Sequence, residues 1–471
     1  MGETATMRDD LVQPDWRTRL ESLADWFPFG KAPLVILMLL AVSGAWHLAR
    51  PIGWREATLR LWTFAHPHLE AYLNAQPSFE AAHPGTTLDI QLVHMQAVTS
   101  RLRAAFWADL DVPDLVEVEI TPAGTFFAGP PDKIGFEDLT PHLKASGLMD
   151  RLVQTRLAPY THRGRIYGLP HDVHPVMLAY RRDLFEELGL RAEDLDTWEK
   201  FVAAGRRVTR LGERYMIALP DAASYGIETL LFQRDGLQGR RAGFFDPDGD
   251  LIMDNETAVE TVKWYVPLVA GADRIAAEPG WGQPWVQSVE DGYILSFICP
   301  DWRSNSAEKN IPRMAGKMAL MPLPAVVPGG RRTSTWGGTM LAITKRSPHK
   351  ALAWELAQHL YLNPDELALR FRDTNILPAL RTAWDHEAIH DRRPYWSGQR
   401  IGELFRDLAD QVPPQYGHPY LNLAKSKLGE VVGDCAAYYE AHGDGEFDAY
   451  VRRRLKAAAD EVRTQMKRNP F

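Results

Sequence analysis

Acidic side chains at alternate positions of one apolar segment are the first residues whose types and spacing could do chemistry. Glu117 and Glu119 lie two residues apart in Leu115–Glu119, so alternation along a strand places both on one face. Asp109 and Asp111 form a second pair just before it. Two carboxylates flanking a glycosidic bond can hydrolyse a saccharide. Carboxylates also hydrogen-bond to ligands, and the sequence leaves both uses open.

Two histidine pairs come closest to the spacing of a metal site. His66 and His68 follow the first apolar segment, where the chain is expected to leave a sheet. His171 and His174 are three residues apart, which suits either a loop at a cleft or, as the alternative, a zinc site. No metal is predicted, because a spacing of three residues is by itself only a weak indication of zinc.

Other catalytic and ion-binding motifs are incomplete or absent. Asp246-Pro-Asp-Gly-Asp250 resembles the start of a calcium loop, but position 257 is Thr where an EF-hand needs Glu, so the segment predicts a tight turn. The chain contains no phosphate-binding Gly-x-x-x-x-Gly-Lys-Ser/Thr loop, no Gly-x-Ser-x-Gly and no His-Glu-x-x-His. The sequence therefore does not predict a transporter ATPase, a serine hydrolase or a zinc protease, and no cofactor is expected.

Length and charge limit the remaining classes. A chain of 471 residues suggests two or three domains, and 45% hydrophobic residues allow a full core. The net charge of −8 argues against a dedicated nucleic-acid binder, which would show a basic face. Cys299 and Cys435 are far apart and are expected to be reduced and buried, with a bridge between them as the alternative.

An apolar run near the N-terminus indicates the compartment. Residues 32–49 contain nine consecutive apolar residues, Leu34–Val42, which suits a signal peptide and is marginal for a transmembrane helix. An uncleaved anchor is favoured because about thirty mostly polar residues precede the run. Residues 1–31 are predicted to be a polar tail and residues 50–57 a linker. Everything after Arg50 is expected to lie outside the cytoplasm.

The rest of the chain alternates short apolar runs with amphipathic stretches, a pattern typical of layered α/β domains. Strands are predicted at Leu59–Phe64, Thr87–Val93, Leu115–Glu119, Met177–Tyr180, Met216–Leu219, Tyr293–Ile298, Met318–Pro322 and Met340–Ile343. Helices are predicted at His68–Ala82, Thr99–Ala108, Thr197–Leu211, Glu256–Ala270, His349–Leu362, Pro364–Phe371 and Ile401–Ala409, with two more near 420–441 and 447–467. Thr197 is expected to cap its helix.

Several short sequence segments follow one another in an order that resembles a known family. They are Pro113-Asp-Leu-Val-Glu-Val118, Gly164-Arg-Ile-Tyr-Gly-Leu-Pro170, Tyr180-Arg-Arg-Asp-Leu-Phe185, Pro300-Asp-Trp302, Trp336-Gly-Gly338 and Ile376-Leu-Pro-Ala379. From Thr58 to Met466 the chain resembles the family 1 extracellular solute-binding proteins of ABC importers, the maltose-binding type. Arg181 stands where the family usually has Asn, which suggests a distant member.

The resemblance implies an α/β bilobal fold of the periplasmic-binding-protein type (type II), with ligand held between the lobes. Lobe 1 is expected to comprise 58–174 with 322–378, and lobe 2 to comprise 175–321 with 379–471. Closure around ligand would be a population shift between open and closed states. The implied ligand-binding residues are Trp62, Thr63, Glu119, Thr121, Asp172, His174, Tyr225, Asp301, Trp302, Trp336, Gly337 and Tyr420.

The implied function is a non-catalytic receptor that binds a carbohydrate and delivers it to an ABC permease, with residues 32–49 holding it to the membrane. Aromatic rings would stack on the apolar face of a sugar. One alternative is an enzyme that acts on saccharides through Glu119 and Asp172. A second is a sensory or scaffolding module that uses the same fold and signals through its N-terminal tail.

Overall fold

The computed structural model describes residues 31–49 and 59–468. The predicted polar tail, except Lys31, and the predicted linker 50–57 lie outside the described residues. Helix α1, Lys31–Ala49, covers the apolar run and belongs to a unit of residues 1–56, whereas all other described elements belong to a second unit of residues 57–471. Among the described residues, no helix is long and apolar enough to cross a membrane. The transmembrane anchor expected at 32–49 is therefore not supported.

The second unit consists of short strands with helices on both sides. The strands are β1 Leu59–Thr63, β2 Leu88–Leu92, β3 Leu115–Glu119, β4 Thr161–His162, β5 Arg165–Ile166, β6 Leu169–Pro170, β7 Val176–Arg181, β8 Ile217–Ala218, β9 Ala276–Ala277, β10 Ser296–Pro300, β11 Met318–Pro322 and β12 Thr339–Ile343. The helices after α1 are α2 His66–Ala82, α3 Met95–Ala108, α4 Ile120–Ala123, α5 Thr140–Ala145, α6 Arg182–Glu187, α7 Trp198–Val208, α8 Ser224–Gln233, α9 Glu256–Val269, α10 Gln283–Glu290, α11 Asp301–Asn310, α12 Lys350–Tyr361, α13 Pro364–Thr374, α14 Ile401–Ala409, α15 Leu421–His442 and α16 Phe447–Arg468.

Two five-stranded sheets form the centres of two lobes. The first sheet has the order β2-β1-β3-β12-β6, in which β1 is parallel to β2 and β3, and β12 is antiparallel to β3 and β6. The second has the order β11-β7-β10-β8-β9, in which β7 is antiparallel to both β10 and β11. The α/β bilobal fold is therefore confirmed. The exact lobe boundaries given above stay a prediction.

Each sheet is apolar on both faces, because helices cover both sides of it. Along β7, Val176 and Leu178 join the core beneath α7, α8, α9, α15 and α16, whereas Met177 and Ala179 face α10, α11 and α14. Cys435 and Cys299 lie in these two cores, and both are buried free thiols, as expected.

Local rules account for several element boundaries. The Thr197 hydroxyl accepts the backbone N–H of Lys200 at 3.4 Å, so the predicted cap of α7 is confirmed. Asp246 Oδ1 accepts the backbone N–H groups of Asp248 and Asp250 at 3.0 and 2.9 Å, which closes the predicted tight turn.

Three segments run between the lobes. The first crossing, residues 171–175, joins β6 of the first sheet to β7 of the second. The second crossing, residues 323–338, returns from β11 to β12. The third crossing, residues 375–380, follows α13, which packs on α2 of the first lobe. Because ligand in a two-lobed fold sits where such segments meet, the crossings locate the candidate site.

Candidate functional site

A cavity of about 430 Å³ lies between the lobes beside the three crossings. A volume of this order suits a small ligand. Residues after β1, the end of β3, the second crossing and one face of α11 form its walls. The lining residues are Phe64, Ala65, Pro67, His68, Glu119, His174, Trp302, Asn305, Ser306, Lys309, Asn310, Trp336, Gly337, Gly338, Thr339, Thr374 and Ile376.

Two tryptophans from different lobe segments form an aromatic wall of this cavity. Trp302 is the second residue of α11, and its Nε1–H donates to the carbonyl oxygen of Trp336 at 3.2 Å. The two rings meet edge to face, with centroids 5.4 Å apart. Trp336 in turn stacks on Tyr225, with centroids 5.5 Å apart and an angle of 5° between the planes. Each ring is therefore fixed by a neighbour before any ligand arrives.

Tyr225 supports this wall from behind and does not line the cavity. It lies on α8 and its hydroxyl donates to Glu278. Burial, followed by that hydrogen bond, raises the pKa of Tyr225. The ring of Tyr225 stacks against Trp336 from outside the cavity, and its contact with ligand stays a prediction.

Gly337 is required by both backbone conformation and space. Its φ of 86° is in the left-handed region, and a Cβ there would lie 3.2 Å from Trp302 Nε1. A Cβ at the neighbouring Gly338 would come within 2.4 Å of Nη2 of Arg156. The pair of glycines lets the second crossing pass close to Trp302.

A buried charge network lies directly behind the wall. His174 Nδ1 donates to Asp301 Oδ1, and His174 Nε2 lies 3.1 Å from Asp172 Oδ2. Arg156 donates to Asp172 Oδ1 at 2.7 Å. Although burial favours the uncharged forms, the charges of Asp172 and Asp301 raise the pKa of His174 to about 9, and those of His174 and Arg156 hold the pKa of Asp172 well below its usual range.

Each carboxylate oxygen of the two aspartates in this network already has a partner inside the protein. Asp172 Oδ2 also accepts the backbone N–H of Thr339 at 3.0 Å, and Asp301 accepts those of Trp302 and Leu377 at 2.7 and 2.9 Å. Both side chains are fully buried. The structure therefore places Asp172 and Asp301 behind the cavity wall, bound by backbone and side-chain donors, and their contact with ligand stays a prediction.

Glu119 and Thr121 form a second polar group beside the cavity. Glu119 Oε2 accepts the backbone N–H of Thr121 at 2.8 Å, which caps the short helix α4. Lys425 of α15 contacts Thr121 Oγ1 of the other lobe at 3.3 Å. It also pairs with Glu228 of α8, in its own lobe, at 3.0 Å. Desolvation raises the pKa of Glu119. Glu119 lines the cavity, whereas Thr121 is behind it.

Three other predicted site residues lie away from the cavity. Thr63 is buried and donates to Glu117, and Trp62 packs against the core on one face of the first sheet. Tyr420 instead lines a second space of about 570 Å³, together with His418 and residues of the 246–249 turn. Alternation along β1 explains the positions of Trp62 and Thr63, because it turns their side chains to opposite faces of the sheet, where each packs into a core.

The structure also brings together one histidine from each of the two predicted pairs. His68, Glu117 and His171 are buried with potential metal-binding atoms within 4.8 Å of one another. However, Glu117 already accepts hydrogen bonds from Thr63, Tyr72, Tyr361 and His68. The two imidazole rings stack at 4.0 Å, so their in-plane lone pairs do not converge on one point. This arrangement is that of a satisfied buried carboxylate.

The polar face of α11 was missed by sequence reasoning. Asp301 and Trp302 fall outside the helices predicted above, but they begin a helix, and its residues Asn305, Ser306, Lys309 and Asn310 line the cavity. The spacing of three and four residues from Trp302 was the available signal. It was hidden because the helix is mostly polar and has no apolar stripe.

Comparison with known proteins agrees with this architecture. Residues 76–393 match the family model described as bacterial extracellular solute-binding protein. The arabinooligosaccharide-binding protein of Bacillus subtilis is 26% identical over 396 residues, which cover 82% of this chain and 89% of that protein. The lactose-binding protein of Rhizobium radiobacter is 25% identical, covering 72% of this chain and 78% of that protein.

Solved structures show the same fold. An extracellular solute-binding protein of family 1 superposes with a TM-score of 0.69 at 23% identity, covering 86% of this chain and 99% of the other. The sugar-binding protein MalE from Xanthomonas citri gives a TM-score of 0.69 at 20% identity, covering 86% and 98%. With the family model matching more than half of the sequence, this chain belongs to the bacterial extracellular solute-binding proteins.

Proposed function

We propose that this protein is the substrate-binding receptor of an ABC importer and that it holds a short oligosaccharide between its lobes. The observation that carries the proposal is the interlobe cavity walled by Trp302 and Trp336 on one side and by the amide, hydroxyl and ammonium groups of α11 on another. Sugars need both kinds of contact, because aromatic faces cover their apolar C–H surface while polar groups bind their hydroxyls.

The ligand class is taken from the relatives. Two arabinooligosaccharide-binding proteins match most of the chain, at 25% and 26% identity, and a lactose-binding protein matches at 25%. We therefore propose an arabinooligosaccharide as the first ligand to test. Delivery to a permease is also part of the proposal, and it is supported by a relative named as a probable ABC transporter-binding protein in Deinococcus radiodurans.

An enzyme acting on saccharides is less well supported. Glycoside hydrolysis needs two carboxylates on either side of the scissile bond. Among the described residues that line the cavity, Glu119 alone carries a carboxylate, and its oxygens already face Thr121. Asp172, the predicted partner, is enclosed behind the wall.

Calorimetry with purified protein tests the function directly. α-1,5-linked arabinotriose, lactose and maltotriose should be titrated separately, and arabinotriose is expected to bind most tightly. Tryptophan emission should change with the same midpoint, because two tryptophans line the cavity, and the radius of gyration in scattering should fall as the lobes close. Absence of heat and of emission change with all three sugars would refute the oligosaccharide proposal. Release of shorter sugars on long incubation would instead favour the enzyme.

The family is extracellular, and we propose that residues 32–49 direct export. A C-terminal reporter that is active only in the cytoplasm should be silent in the full chain and active when residues 1–49 are deleted. Activity of the reporter in the full chain would refute the export role. Fractionation of the exported protein then distinguishes a cleaved signal, which leaves it soluble, from an uncleaved one, which keeps it with the membrane.

A further inference from the structure

His174 occupies a position from which one side chain reaches all three interlobe segments. It lies in the first crossing, and its two ring nitrogens face Asp172 and Asp301. Asp172 accepts the backbone N–H of Thr339 at the end of the second crossing, and Asp301 accepts that of Leu377 in the third. The imidazole is therefore the link between two carboxylates that each hold another crossing in place.

Hydrogen bonds connect both aspartates to the aromatic wall. Asp301 Oδ1, which accepts from His174, also accepts the backbone N–H of Trp302 at 2.7 Å. Arg156, on the other carboxylate, donates to the carbonyl oxygen of Gly337 at 3.1 Å, next to Trp336. The two tryptophans thus lie at the two ends of one hydrogen-bonded chain that has His174 at its middle.

The backbone at His174 is itself unusual. Its φ is 52°, in the left-handed region that residues other than glycine seldom adopt, with Asn, Asp and His the most frequent exceptions. A strained conformation persists when its surroundings hold it there, and such residues cluster at binding sites. Here the two aspartates hold the ring.

We propose that His174, by bridging Asp172 and Asp301, is a positioning residue that sets the distance between Trp302 and Trp336 and so makes the affinity for ligand depend on pH. The ligand part of this inference rests on the proposed function. His174 lines the cavity wall, and the effect proposed for it is transmitted through Asp301 to Trp302.

Protonation decides whether the bridge is complete. With both nitrogens protonated, the imidazolium can donate to both carboxylates, whereas a neutral ring can donate to only one. Deprotonation would leave two buried aspartates facing each other across a neutral ring, which drives them apart. The other charged and titratable groups around it are Arg156 and His171, through Asp172, and Glu119, His68 and Lys309 on the walls of the same cavity.

His174→Asn is the suitable variant, because asparagine tolerates the left-handed backbone but cannot span both aspartates. His390→Asn is the matched control, since His390 pairs with Glu403 at 3.0 Å and does not line the cavity. In nitrogen NMR spectra of the ligand-free protein, the imidazole resonances that are present in wild type and absent from His174→Asn belong to His174. Both nitrogens should carry protons at pH 7.5 and lose one with a midpoint near 9.

Tryptophan emission of the ligand-free protein should change with that same midpoint in wild type and in His390→Asn, but not in His174→Asn. Arabinotriose affinity at pH 7.5 should fall about tenfold in His174→Asn, the scale expected for one lost charge-assisted hydrogen bond. A neutral His174 at pH 7.5, or an emission profile unchanged by His174→Asn, would overturn the inference. If none of the three sugars binds, the proposed function fails, and the resonance and emission measurements still decide the role of His174.

Discussion

Removing the Trp302 side chain is the sharpest test of the aromatic wall. Trp302→Ala removes a ring that lines the cavity and meets Trp336 edge to face at 5.4 Å. A stacked aromatic ring is worth roughly 0.5–1.5 kcal/mol beyond the burial of its area. Adding the area that a bound sugar would bury against it, the total loss should be roughly 2–4 kcal/mol, or about 30- to 1000-fold in affinity.

Trp302→Phe separates the ring from its hydrogen bond. Phenylalanine keeps an aromatic face but loses the Nε1–H that donates to Trp336 at 3.2 Å. A single neutral hydrogen bond contributes about 1 kcal/mol, so affinity should fall by no more than about tenfold. The order wild type, then Trp302→Phe, then Trp302→Ala is therefore expected in arabinotriose affinity by calorimetry.

The control is Trp107→Ala, which removes a tryptophan that is 92% exposed on α3 and does not line the cavity. Its affinity should match wild type, and circular dichroism should show all three variants folded. If Trp302→Ala stays within about twofold of wild type while folded, stacking on this ring does not hold the ligand, because a lost aromatic contact cannot cost so little.

Three further predictions concern Gly337, His174 and Glu117. Gly337→Ala should lower stability by roughly 1–3 kcal/mol more than Gly329→Ala in denaturant unfolding, because both have positive φ but only Gly337 meets Trp302; equal losses would refute the clash. Because the folded pKa of His174 is raised to about 9, its contribution is complete below pH 6.5 and is lost as pH rises through 9. The difference in unfolding free energy between wild type and His174→Asn should shrink by about 3 kcal/mol over that window, and a constant difference would contradict it. Glu117→Gln should cost roughly 2–4 kcal/mol of stability by replacing a buried carboxylate bound by four donors, while a chelator should leave the wild-type melting temperature unchanged; a chelator-induced drop would indicate a bound metal.

Local sequence patterns predicted much of the fold because each element carries its own signal. The strands at 115–119 and 318–322 and the helix at 401–409 match the predicted bounds, since short apolar runs and a strong apolar stripe define them. The residue type of Thr197 was enough to predict where its helix begins. The strand predicted at 293–298 instead occupies 296–300, because Tyr293 and Ile294 follow the positive-φ Gly292 and make only an isolated bridge.

The site was less predictable because its contacts join distant residues. Trp302 and Trp336 were identified as candidates by resemblance, and the structure places both in the cavity wall. Nothing local relates His174 to Asp301, which is 127 residues away. Likewise, no short-range pattern shows that Lys425 meets Thr121 from the opposite lobe.

Asp172 and Asp301 show which groups hold the crossings together and which are free to contact a ligand. A carboxylate next to a tryptophan suggests a sugar-hydroxyl acceptor, but its lone pairs must be counted first. Every carboxylate oxygen of Asp172 and Asp301 is bound inside the protein by His174, Arg156 or a backbone N–H, and displacing any of these would leave a buried donor unpaired at a cost of about 1–3 kcal/mol. The groups free to select a ligand are instead those on the exposed face of α11, whose N-terminal residue is Asp301. One helix therefore makes both kinds of contact, with its first residue bound to two of the crossings and its later turns lining the cavity, so we expect lobe movement and ligand binding to be coupled through α11.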